Sequence, residues 1–136
     1  MRRLFALLCL PLSTLALAAC GSTVSTAAFK GQQHEVAQTI SNLQADATAA
    51  EQKKICTNDL AAAIVEKLGG IKGCEAAIKS QLTEVDSLEA SVQSVTVAAD
   101  GKTATARVKS IHEGKNRFSG VSLVEEGGKW KVSGLG

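Results

Sequence analysis

The side chains of this 136-residue chain whose types could do chemistry are four cysteines, two histidines and an adjacent pair of glutamates. Cys56 and Cys74 are spaced far more widely than the Cys-x-x-Cys of a redox pair, and two further ligands for a zinc site are lacking. His112 shares the parity of Ala104, Ala106, Val108 and Ser110, so a strand here sends its ring to the side those small residues occupy. It is therefore the one candidate for a polar group inside a pocket, as a ligand contact or a general acid or base, although a strand-end histidine is the plainer reading. His34, between Gln33 and Glu35, belongs to the polar side of a helix.

Glu125 and Glu126 are neighbours, so an extended backbone points their carboxylates to opposite faces and they cannot flank one substrate atom. They read as solubilising charges beside a turn. Gly69-Gly70-Ile71-Lys72-Gly73 follows a helix and lacks the Gly-Lys-Ser/Thr ending of a phosphate loop, so it reads as helix termination. No catalytic residue, metal set or cofactor emerges from these spacings.

The start of the chain is more specific. Met1-Arg2-Arg3 precedes an uncharged apolar run from Leu4 to Leu17, followed by Ala18, Ala19 and Cys20, the order of a secretory signal peptide over residues 1–19. The run is shorter than the ~20 residues of a spanning helix. Cleavage after Ala16-Leu17-Ala18 would leave an odd thiol among Cys20, Cys56 and Cys74. Alternatively, Leu17-Ala18-Ala19-Cys20 resembles the lipobox of bacterial lipoproteins, which implies a diacylglycerol on Cys20 as the new first residue. One acyl chain binds a bilayer only reversibly, at about 0.8 kcal/mol per buried methylene, so the palmitate-like chains of such an anchor act together. Gly21 is not the Asp that resemblance to the sorting rule of two-membrane bacteria associates with inner-membrane retention, which leaves an outer membrane open. In an exported chain Cys56 and Cys74 are expected to be oxidised to a disulfide, contributing about 3 kcal/mol in the chain-entropy model.

Removing the signal leaves a length suited to one core. It also removes Arg2 and Arg3, so the 13 remaining basic residues equal the 13 acidic ones and the basic balance belongs to the export signal. Net charge then argues for neither nucleic acid nor an anionic lipid surface. Residues 20–28 form a small, uncharged tether after the lipidated cysteine, reaching on the order of 25 to 30 Å when extended.

Residues 29–136 read as a single α+β domain. Phe29, Val36, Ile40, Leu43 and Ala47 share one helical face, predicting a helix from about Gly31 to Asp46. A short second helix ends in Lys53-Lys54-Ile55-Cys56. Thr57 or Asn58 caps a third, with Leu60, Ile64 and Leu68 on one side and Gly69 at its end. Cys74, Ala77, Ile78, Leu82 and Val85 give a fourth. After Asp86 the period becomes two. Leu88, Ala90 and Val92 alternate on even positions but Val95 and Val97 on odd ones, predicting a β-bulge near Gln93 or Ser94. Asp100-Gly101 turns into Ala104, Ala106 and Val108, a third strand covers about Arg117 to Glu125, and Gly127-Gly128 turns into Trp130 and Val132. Phe29, Phe118 and Trp130 are all assigned to the core, leaving no aromatic to stack on sugars or bases.

Three stretches, Ile55-Cys56 leading into a helix, Val95 to Val108 with its Asp-Gly turn, and Leu123 to Val132 with its Gly-Gly turn, resemble the nuclear transport factor two-like superfamily. The resemblance covers most of Asp46 to Leu135 and implies N-terminal helices on a curved antiparallel sheet of about four strands. Small exported lipoproteins are the members most similar. Catalytic members place Asp, His and often Tyr inside the cone; this chain has no Tyr, and no catalytic residue is carried over.

The expectation is a non-enzymatic module, held to the membrane through Cys20 on its extracytoplasmic side, that binds an envelope protein or a small apolar ligand. An isomerase- or dehydratase-like enzyme using His112 and a structural envelope spacer are the alternatives.

Overall fold

The computed structural model describes residues 25–83 and 90–136. The expected export signal, Cys20 and the expected tether as far as residue 24 lie outside the described residues, as do Val85, Asp86 and Leu88.

Helix α1 (Gln32–Thr48) buries Val36, Ala37 and Ile40, with Phe29, Leu43 and Ala47 packed at the edge of the same core. The chain turns at Ala50, where φ is 55°, and enters α2 (Gln52–Lys54). This short helix runs straight into a π-helical turn, Ile55–Asp59, closed by Leu60 N–H donating to the Ile55 carbonyl at 3.0 Å. The turn buries Ile55, Cys56 and Asp59 and leaves Thr57 and Asn58 exposed.

Neither Thr57 nor Asn58 caps the next helix, α3 (Ala62–Lys67). The Ala61 N–H is committed to the Val132 carbonyl at 2.8 Å, and the Ala62 N–H meets the Glu126 carboxylate oxygens at 3.2 and 3.3 Å. A side chain from the far end of the chain thus satisfies an orphan donor that local sequence was expected to satisfy. Of the expected apolar side, Leu60 is buried and Ile64 packs against the core, but Leu68 is 37% exposed, and Ala61 and Val65 are buried in its stead. Helix α4 (Gly70–Thr83) follows, and a Cβ on its Gly73 would lie 2.0 Å from the Leu68 carbonyl oxygen. The glycine run is therefore a helix–helix corner requiring close backbone approach. A Cys56–Cys74 disulfide ties the π-helical turn to α4.

Four strands, β1 (Ala90–Val97), β2 (Thr103–His112), β3 (Lys115–Glu126) and β4 (Lys129–Leu135), form one antiparallel sheet in sequence order. The register shifts between Val92 and Ser94, where the change of parity predicts a bulge, and again where β3 meets β4 at Ser122 and Leu123. Both irregularities bend the strands. Glu113-Gly114, unrecognised in sequence, joins β2 to β3 with φ of 51° and 72°, the left-handed pair of a two-residue hairpin loop. One face of the sheet, carrying Val95, Ala106, Val108, Leu123, Trp130 and Val132, packs with the helices into the core. The molecule is α+β, with helices packed on a four-stranded antiparallel sheet.

Phe118 departs from its expected place. It is 53% exposed on the opposite face of the sheet, its ring 4.6 Å from the Arg107 guanidinium carbon. The parity that buries Val121 and Leu123 sends Phe118 outward.

Candidate functional site

Two hollows are built against α1. Toward its N-terminal half, a polar cleft of about 470 Å³ lies between α1, the π-helical turn and the β3–β4 turn, lined by Glu35, Gln38, Asn42, Asp59, Lys129 and Trp130 among others. His34 also reaches this cleft, its Nδ1 3.1 Å from the Thr26 carbonyl. The histidine expected to be a solvated helix residue thus ties the preceding segment to α1.

Asp59 is the unusual group here, only 4% exposed. Burial first, then the charge and hydrogen bond of Asp46, raise its carboxyl to about 7 against the opposing charge of Lys131. Its Oδ2 is out of solvent and meets no N–H or O–H donor among the described residues. Its interaction with Asp46 lies within the fold and joins α1 to the π-helical turn. Lys131 is engaged nearby, its Nζ donating to the Thr57 carbonyl at 2.9 Å. Asp59 itself can exchange a proton near neutral pH. Asp59 was not singled out from sequence. The only signal was an acid set directly before the apolar Leu60-Ala61.

The second hollow opens at the other end of α1. About 330 Å³ in volume, it lies between the C-terminal halves of α1 and α4 and the sheet. Its depth is formed by Ile40, Ile55, Val108 and Val121, all under 7% exposed. Its mouth is marked by the exposed Gln81, Ser119 and Leu135. Gln44, Gln81 and Ser119 are the polar side chains along it, and no charged side chain lines it among the described residues. Such a concave, mostly apolar volume with few polar groups is the usual form of a small-ligand site.

His112 lies at neither depth. It is exposed, paired with Lys115 at the last step of the β2–β3 ribbon. Its parity is as expected, but the ribbon has by then run past the helices. Glu125 and Glu126 diverge as expected of neighbours, with Glu126 committed to α3. Among the described residues no group of three or more His, Cys, Asp or Glu side chains could hold a metal ion, and no helix is long and apolar enough to cross a membrane.

In comparison with known proteins, the chain matches no family model and no curated protein sequence.

Proposed function

We propose that this chain is a lipoprotein precursor whose folded domain, tethered to the extracytoplasmic side of a membrane through Cys20, is a non-enzymatic binding module for a small apolar ligand. The apolar hollow between α1, α4 and the sheet carries this reading. At about 330 Å³ it is near the lower end of ligand pockets, which span roughly 300 to 1,000 Å³. That admits one short apolar chain or ring system. A spacer has no use for such a volume, and an enzyme built on His112 draws no support from an exposed side chain at a hairpin end.

The lipobox at Leu17 to Cys20 supports the tether. Helices followed by a bulged four-stranded meander are compatible with the nuclear transport factor two-like resemblance, which belongs to the same proposal. The test has two arms. Palmitate labelling of cells is expected to mark the chain and to be lost in Cys20→Ala; an unlabelled chain recovered from the medium defeats the anchor. Titration of the soluble domain with 1-decanol, followed by NMR, is expected to shift resonances of Leu43, Ile78 and Val121 saturably. Absence of saturable shifts defeats the binding site.

A further inference from the structure

The β2–β3 ribbon adds a feature to the mouth of that hollow. Paired residues of antiparallel strands project to the same face, and the pairing here runs Ala106 with Val121, Val108 with Ser119, Ser110 with Arg117, and His112 with Lys115. The first pair is buried in the core, and the second lines the apolar hollow. Arg117 therefore stands on the hollow's own face one step beyond Ser119, and Lys115 and His112 two steps beyond. Each step advances roughly 7 Å along the strand. Arg117 is within reach of the mouth by its own side-chain length.

Nothing else in the described sheet covers this stretch. Strand β1 begins at Ala90, opposite Ser110, and the pairing of β4 with β3 ends at Leu135 opposite Val121, extended only by the Gly120–Gly136 backbone bonds of 3.0 and 2.8 Å. Residues 111–119 are all exposed. Glu113, in the turn, is the one acid of the ribbon beyond Ser110, against Lys115 and Arg117. The hollow is uncharged and apolar within, and the charges standing outward of it on the ribbon are mainly positive.

We infer that the ligand of this site is an anionic amphiphile, a single apolar chain seated among Leu43, Ile78 and Val121 with its carboxylate or phosphate head held at the mouth by Arg117 and Lys115. The inference rests on the proposed apolar binding site and names its ligand class. An arginine fork matches a carboxylate or phosphate in a bidentate manner, whereas Lys115 acts as a second, mobile point charge. Both are solvated, so their contribution is modest and salt-dependent. The apolar chain supplies most of the affinity, and the cations choose the head group.

The test compares four ten-carbon probes on the soluble domain: decanoate, decyl phosphate, 1-decanol and decyltrimethylammonium. At low salt the preferred anion is expected to bind about five- to tenfold more tightly than decanol, with the cation weakest, and the preference is expected to shrink in 0.5 M salt. Whether decanoate or decyl phosphate leads identifies the head group. In Arg117→Gln/Lys115→Gln, two exposed changes remote from the core, decanol affinity is expected to stay while the anion preference disappears. Decanol binding with no anion preference, or a preference surviving in the double variant, overturns this inference and leaves the apolar site standing. Failure of every probe overturns both.

Discussion

The two hollows against α1, of about 470 and 330 Å³, are opposite in chemistry. In the polar cleft several groups engage the fold itself: the Gln38 amide donates to Asn42 Oδ1 at 3.0 Å, His34 meets the Thr26 carbonyl, and Asp59 interacts with Asp46. The apolar hollow has almost no polar group to spend internally, and its walls forgo the dispersion contacts that a filled core has. A hollow whose groups are already paired serves the fold, while one whose walls face empty apolar volume is suited to an occupant. The more polar and chemically suggestive cleft is thus assigned to stability, and the plainer one to binding.

Removing the disulfide should break this division most strongly, because it anchors the π-helical turn that carries Asp59. Cys56→Ala/Cys74→Ala is expected to lower unfolding free energy by about 3 kcal/mol in urea titrations. It should also speed amide exchange first in residues 55–60, and equal acceleration around Val121 would erase the distinction. In the native protein, alkylation should label neither thiol until a reductant is added.

Gly73→Ala comes next. Its Cβ would strike the Leu68 carbonyl, so the α3–α4 corner must move, at an expected cost of about 2 kcal/mol. The effect belongs to the helical layer alone, and decanol affinity measured under folding conditions should change little.

Asp59→Asn isolates the polar cleft. An aspartate whose folded pKa is raised, here to about 7, favours the folded state while both forms are protonated, below the unfolded value of 3.8. That contribution is lost as pH rises from there through about 7. The parent should therefore lose stability across this window relative to Asp59→Asn, whose amide donates to Asp46 at every pH. At pH 8 the variant is expected to be more stable by about 1 kcal/mol. Parallel stability curves for the two proteins from pH 4 to 8 would remove Asp59 from the account.

The smallest effect on folding is expected at the apolar hollow. Ile78 is only half-buried, so Ile78→Ala should cost about 1 kcal/mol in stability while weakening decanol several-fold. A large stability loss with unchanged binding would reverse the roles assigned to the two hollows.

Part of this architecture was legible residue by residue. The switch of apolar residues from even to odd between Val92 and Val95 located a bulge that the register places between Val92 and Ser94. The α1 face was readable because Val36 and Ile40 repeat at the helical period over four turns. The third helix was legible only in part: Leu60 and Ile64 lie toward the core as expected, but Leu68 does not. Six residues, Ala62–Lys67, are too few for periodicity to fix a face, and the packing of Ala61 against β4 chose Val65 over Leu68. Phe118 shows the same limit in a strand, since hydrophobicity suggests that a residue is buried but pairing decides its face.

The sequence alone determined what depends on neighbours along the chain: two helical and strand halves, the bulge, the turns at Asp100-Gly101 and Gly127-Gly128, and the pairing of the only two cysteines beyond Cys20. Tertiary structure decided what depends on groups brought from afar. Glu126 closes the start of a helix 64 residues away, Asp59 is buried beside Asp46, and Val108, Ser119 and Val121 of the sheet wall a hollow whose other walls are α1 and α4. Burial and proximity set the energies of those groups, and neither exists until the helices close on the sheet.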